Sequence, residues 1–119
     1  MSATPPERAQ LRVTVVGSGE RTLVSVAGEL DIATADEFTA SLRDALAGGP
    51  VTLDLAELSF VDSSGLRALD GLLEEIDREG WTLGIRPDVG RGVRQLLELT
   101  GMIGLLPFEG RPEARGGPG

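Results

Sequence analysis

Apolar and polar residues alternate along the first part of the chain. Leu11, Val13 and Val15 are separated by polar residues, and this period of two predicts a β-strand. A second apolar segment at 23–27 predicts another strand, and the residues at 17–20 between the two strands are the turn formers Gly-Ser-Gly-Glu. Two strands joined by a short glycine-containing loop predict a β-hairpin.

Helical spacing of apolar residues begins after the second strand. Thr34 followed by Glu37 has the spacing of a capping box, in which each side chain satisfies a free backbone amide of the first turn. The apolar residues of this predicted helix share one face: Ala35, Phe38, Leu42, Ala45 and Leu46. The sequence Gly-Gly-Pro at 48–50 ends the helix.

The segment at 51–55 predicts a third strand in which apolar residues alternate with Thr52 and Asp54. A strand that is buried on both faces would be apolar throughout. The alternation therefore predicts a sheet with one face less completely covered than in a doubly wound fold.

The rest of the organised region predicts two more helices and two extended segments. One helix starts near Asp62, ends at Gly80 and carries apolar residues at helical spacing, namely Leu66, Leu69, Leu73 and Ile76. A strand near 82–85, a helix at about 89–99 closed by Gly101, and an extended piece at 105–108 follow. The order β-β-α-β-α-β-α-β predicts an α/β fold, a mixed sheet of four to five strands packed with about three helices.

Composition removes most catalytic chemistry. The 119 residues include no Cys and no His, and all eleven basic residues are Arg. Thiolate and imidazole groups, Cys or His metal ligands and the lysine of a P-loop are therefore excluded. A net charge of -8 without a basic stripe argues against binding to nucleic acid or to an anionic membrane. We expect no enzyme activity, no cofactor and no metal, and a protein partner with a basic patch.

The two ends of the chain differ from its centre. Residues 1–10 hold no apolar core of a secretory signal, and no apolar run approaches the roughly 20 residues that span a bilayer. We expect a cytoplasmic monomer without membrane insertion. Residues 1–10 are predicted to be a flexible segment, 11–108 the folded domain and 109–119 a disordered tail of turn-forming residues.

Ser63 and Ser64 are the candidate reactive residues, at a predicted strand-to-helix turn. A hydrolase nucleophile is excluded, because the Gly-x-Ser-x-Gly motif and a base are both absent. Two interpretations stay open. Asp62 or Ser63 caps the helix, which is the more common role of such residues; or Ser63 accepts a phosphate, which would place about two negative charges beside Asp62 and switch off a protein interface.

Two other charged positions have more than one interpretation. Glu29 and Asp31 flank Leu30 at a strand end, where a solvated turn is favoured over an acid–base pair. Arg67 lies one turn after Ser63, where it would neutralise a phosphate, pair with Asp70 or remain solvated.

Four short motifs occur in a characteristic order: Gly-Glu-Leu-Asp at 28–31, Leu-Asp-Leu at 53–55, Leu-Ser-Phe-Val-Asp-Ser-Ser-Gly-Leu at 58–66 and Leu-Leu-Glu-Leu-Thr-Gly at 96–101. Together they resemble the STAS domain, named for sulphate transporters and anti-sigma factor antagonists. The resemblance covers 11–108 and implies a STAS-like sheet with helices.

The single-domain proteins that the chain resembles are bacterial anti-anti-sigma factors. The resemblance implies that the unphosphorylated form binds an anti-sigma factor with serine kinase activity and releases a sigma factor. Phosphorylation by that kinase then ends binding, and a serine phosphatase restores it. The position that matches the phosphoacceptor is Ser63.

The resemblance also implies a partner-binding surface around the phosphoacceptor. Its residues are Asp62, Ser63, Ser64, Gly65, Glu29 and Asp31. We interpret Gly65 as a small residue that lets a partner approach closely. The alternative is a STAS adaptor subunit that is not phosphorylated, in a lipid-transport ABC complex or a signalling complex.

Overall fold

The computed structural model describes residues 11–110 and contains the predicted hairpin. β1 (Leu11–Ser18) pairs antiparallel with β2 (Arg21–Leu30) in an unbroken register. The connecting turn holds Gly19 at a φ of 62°, a left-handed conformation that favours glycine. β2 extends beyond 23–27 at both ends, through Arg21 and Thr22 before this segment and through Gly28, Glu29 and Leu30 after it.

The remaining elements confirm the α/β prediction. α1 (Ala35–Gly48) is followed by β3 (Val51–Val61), α2 (Ser63–Glu79), β4 (Leu83–Ile85) and α3 (Arg91–Thr100). The sheet has the order β1-β2-β3-β4, with β3 parallel to both β2 and β4. The result is a four-stranded mixed sheet with three helices.

The last predicted extended piece contributes a single bridge rather than a full strand. A short 3₁₀ helix at Met102–Gly104 follows α3, and Phe108 then forms an isolated parallel bridge with Ile85. The Ile85 N–H donates to the Pro107 carbonyl (2.9 Å), and the Ile85 carbonyl accepts from the Glu109 N–H (2.7 Å). Glu109 is thus held against the sheet.

The core lies on one face of the sheet. The most deeply buried strand and helix side chains belong to one cluster, which includes Val24, Val26, Leu30, Leu53, Leu55, Ile85, Phe38, Leu42, Leu46, Leu69, Leu72 and Leu97. On the other face, Arg12, Thr14, Ser25 and Asp54 keep contact with solvent. This confirms the prediction of one incompletely covered face.

The entry to α1 differs from the predicted capping box. The Thr34 side chain accepts from no N–H group of the first turn of α1. Its hydroxyl donates to the Glu29 carbonyl (2.8 Å) and accepts from the Asp31 N–H (2.9 Å). Asp31 Oδ1 instead accepts from the N–H groups of Ala33 (3.0 Å) and Thr34 (3.2 Å). The capping box is wrong because the chain leaves β2 through a turn organised by Asp31.

The predicted flexible segment 1–10, and residues 111–119 of the predicted tail, lie outside the described residues. Within 11–110, no helix is both long and apolar enough to span a membrane.

Candidate functional site

The candidate site lies where β2 and β3 end side by side. The two strands are parallel and Leu30 pairs with Val61, so their carboxyl ends meet at one edge of the sheet. The Asp62 N–H donates to the Leu30 carbonyl (3.1 Å) and ties the two strand ends together. Segments 28–31 and 62–65, which are far apart in the sequence, are therefore neighbours.

Asp62 is the N-cap of α2. Its backbone is extended (φ -106°, ψ -172°), and its Oδ1 accepts from the Gly65 N–H at 3.0 Å. Its carbonyl accepts the first helical bond, from the Leu66 N–H at 3.0 Å. Of the two residues that the sequence offered as the cap, Asp62 has the role, so its carboxylate has a structural task.

The loss of this cap has a measurable consequence. We expect Asp62→Ala to lower the free energy of unfolding by about 1 kcal/mol, because one amide of the first turn loses its partner. Urea denaturation measures the change. Asp62→Asn is the control, because the asparagine side chain also accepts from the Gly65 N–H; equal losses in both variants would contradict the capping role.

Ser63 is the first residue of α2 and is exposed. Within residues 11–110 its hydroxyl has no hydrogen-bond partner. Ser64 is half-buried beside it. Ser63 is thus the hydroxyl at this turn that an enzyme reaches most easily from solvent.

Gly65 is buried against the ends of β2 and β3. A Cβ added to it would lie 2.6 Å from the Leu30 carbonyl oxygen and 2.9 Å from Cγ1 of Val61. The interpretation that Gly65 leaves room for a partner is therefore wrong, because the space belongs to the chain's own strands. The glycine lets α2 pack directly on the sheet.

The carboxylates near Ser63 do not form an acid–base pair. Asp31 binds two backbone amides of its own turn, and the half-buried Glu29 pairs in register with Phe60 of β3. Asp31 thus fits the turn interpretation. Together with Asp62, these residues place three carboxylates near the ends of β2 and β3.

Two exposed apolar side chains near the ends of β2 and β3 were missed from the sequence. Ile32 is 79% exposed and Phe60 is 46% exposed. Ile32 is two residues after Leu30, and Phe60 is three residues before Ser63. An apolar residue within a polar turn was the available signal for Ile32. We refer to Ile32, Phe60 and Ser63 together as the terminal patch.

Arg67 is the cation one helical turn after Ser63. It is exposed, and within residues 11–110 it forms no ion pair. Of the three interpretations offered by the sequence, the pair with Asp70 is not formed. The guanidinium is therefore free to respond to a change of charge at Ser63.

Within the described part of the chain, no group of three or more acidic side chains is arranged to hold a metal ion.

The four-stranded mixed sheet with three helices matches a known class of domain. The family model described as "Mlab, STAS domain" matches residues 13–107. This chain belongs to the STAS family.

Proteins similar to this chain carry a consistent description. An anti-sigma F factor antagonist of Paenibacillus polymyxa is 31% identical over 89 residues, which are 72% of this chain and 75% of that protein. The crystal structure of an anti-sigma factor antagonist from Mycobacterium paratuberculosis superposes with a TM-score of 0.71 at 25% identity, covering 87% of this chain and 89% of that one. The STAS domain of an antagonist from Rhodobacter sphaeroides gives 0.51 at 30% identity, covering 63% and 84%.

Proposed function

We propose that this chain is an anti-sigma factor antagonist whose binding to an anti-sigma factor with serine kinase activity is switched off by phosphorylation of Ser63. The observation that carries the proposal is an exposed, unbonded serine at the start of α2, beside a cap that is already complete. The similarity to proteins named as antagonists supports the general role.

The terminal patch is the surface that we expect to contact the anti-sigma partner. Ile32 and Phe60 supply apolar area that is exposed in the free chain, and apolar anchors of this kind carry much of the affinity of interfaces. Glu29, Asp31 and Asp62 supply negative charge around them. The partner surface that fits is apolar at its centre and basic at its rim.

Phosphorylation of Ser63 acts on the interface more than on the fold. The start of a helix carries unpaired amides and the positive end of the helix dipole, so a phosphate is tolerated there within the free chain. In the complex the same phosphate adds about two negative charges to an already acidic contact, where they must be desolvated. The expected result is release of a folded protein.

The kinase and this chain have different roles in the proposed phosphorylation. The kinase supplies ATP and the catalytic groups, and this chain supplies the Ser63 hydroxyl. A serine phosphatase removes the phosphate and restores binding. The chain is in this proposal a substrate and a switch, and the sigma factor is released while the unphosphorylated form occupies the anti-sigma factor.

The proposal is tested by phosphosite-resolved mass spectrometry on the protein from its native cells. We expect phosphate on Ser63, its loss in Ser63→Ala and its retention in Ser64→Ala. Absence of phosphate under all growth conditions would contradict the switch. Stable co-purification with a membrane ATPase would then support the adaptor alternative.

The apolar part of the patch is tested separately. We expect Ile32→Ser to weaken binding to the anti-sigma partner by about tenfold, because an exposed anchor of the interface is lost. Calorimetric titration measures the affinity. Leu99→Ser is the matched control, since Leu99 is 77% exposed on α3; an equal loss in both variants would argue against the patch.

A further inference from the structure

The two edge strands of the sheet, β1 and β4, differ in the hydrogen bonding of their outer sides. β4 is three residues long, and its outer side is closed by the hydrogen bonds between Ile85 and the segment 107–109. β1 is eight residues long, and within residues 11–110 no other strand pairs with its outer side. A free edge of this length presents unpaired N–H and C=O groups to solvent.

β1 lacks the devices that usually protect a free edge. Proteins protect such edges with lysine, proline, bulges or inward-pointing charges. β1 has no proline, one charged residue, Arg12, and no register shift against β2. Val15 and Val16 are 53% and 50% exposed and, as neighbours in a strand, point to opposite faces. The edge is therefore apolar on both faces near its end.

We propose that β1 is the interface of a homodimer, in which the β1 strands of two copies pair antiparallel about a two-fold axis through Val15. When two identical strands pair about a two-fold axis through one residue, odd-numbered residues lie opposite odd-numbered ones and even-numbered residues opposite even-numbered ones. The core-facing side chains of both copies therefore lie on the same face of the joined sheet. The proposed state is a weak dimer with one continuous sheet, whereas the sequence led us to expect a monomer.

This register uses the exposed residues of β1. Val15 lies opposite Val15 of the second copy, and Thr14 lies opposite Val16. Cross-strand pairs between β-branched residues stabilise a sheet. Arg12 lies diagonal to Glu20 of the second copy, within reach of long side chains. An axis through Thr14 would instead place Arg12 opposite Val16.

The other candidate occupant of the edge is the chain's own residues 1–10. This segment is joined directly to Leu11, the first residue of β1, so the chain would have to reverse its direction for the segment to lie along β1. It contains Pro5 and Pro6, which have no N–H to donate to a ladder. A second copy offers β1 itself, which has a complete set of donors and acceptors.

The dimer is expected to be weak. The contact is one strand wide, and each copy has a net charge of -8 that repels the other. We expect a dissociation constant in roughly the micromolar range. Sedimentation of the full chain should show an average mass that rises with concentration from 12.5 kDa towards twice that value.

Charge at the axis tests the location of the interface. Val15→Lys places two ammonium groups opposite each other, and we expect a folded monomer at all concentrations. Leu99→Lys makes the same change at an equally apolar exposed site on α3 and should still dimerise. Circular dichroism checks that both variants remain folded. A monomer in the wild type, or a dimer that is insensitive to Val15→Lys, overturns the proposal.

A disulfide tests the register. The chain has no cysteine, so Val15→Cys introduces a single thiol at the axis. Directly opposed residues of an antiparallel pair have Cα atoms about 4.5–5.5 Å apart, which a disulfide can bridge. Arg12→Cys is the control, because its two copies would be roughly 20 Å apart. Oxidation should cross-link the first variant and not the second; the reverse result overturns the proposed axis.

Discussion

Ser63→Asp is expected to bind the anti-sigma partner roughly 100-fold more weakly than the wild type, because it places a fixed charge where an acidic interface must desolvate it. The thermal midpoint should change little, since an aspartate at the start of a helix is compatible with the helix dipole. Titration with the purified partner measures the affinity, and thermal denaturation measures stability.

Two uncharged variants separate charge from shape in this experiment. Ser63→Asn has the size of the aspartate without its charge and is expected to bind like the wild type. Ser63→Ala is expected to bind as well and to remain bound when ATP is added. Equal affinity of Ser63→Asp and Ser63→Asn would show that charge at this position does not control the interface.

The second large effect concerns Gly65. Gly65→Ala is expected to lower the free energy of unfolding by about 1–3 kcal/mol, because the new methyl group would overlap the Leu30 carbonyl and the Val61 side chain. The helix must move away from the sheet to relieve this contact. Chemical denaturation at equilibrium measures the loss.

Gly71 of the same helix provides a control of opposite sign. It is exposed, and nothing lies within 4 Å of the position that a Cβ would take. Gly71→Ala is therefore expected to raise the free energy of unfolding by about 1 kcal/mol, through helix propensity alone. If both alanine variants were stabilised, Gly65 would not be a packing contact.

Substitutions at Ser63 and at Gly65 are expected to change different properties of the protein. Ser63 projects into solvent, so its substitution acts on a partner. Gly65, two residues later and on the same first turn, faces the strands, so its substitution acts on the fold. A screen of this motif should therefore divide into variants that lose binding and variants that lose stability.

Local sequence rules predicted the elements well where the interactions are local. The hairpin, the buried face of α1 and the glycines that end α2 and α3 follow from neighbouring residues. The cap at Asp62 also follows, because its carboxylate reaches an amide only three residues later. These features depend on spacing that is visible along the chain.

The same kind of rule was wrong at Thr34. Its spacing with Glu37 fits a capping box, but the preceding turn points the Thr34 hydroxyl towards the Glu29 carbonyl. The turn is organised by Asp31 at the exit of β2. The path of the chain from β2 into α1 therefore determines that Thr34 does not form the capping box.

By itself, the sequence determined the α/β order, the family resemblance and the absence of thiol, imidazole and lysine chemistry, because these depend on composition and on the order of motifs. Only the tertiary structure decided that Gly65 serves packing, that Ile32 and Phe60 are exposed near the ends of β2 and β3, and that β1 is a free edge within residues 11–110. The physical reason is that each of these depends on which distant segments meet: the end of β2 against α2, and no described strand against the outer side of β1.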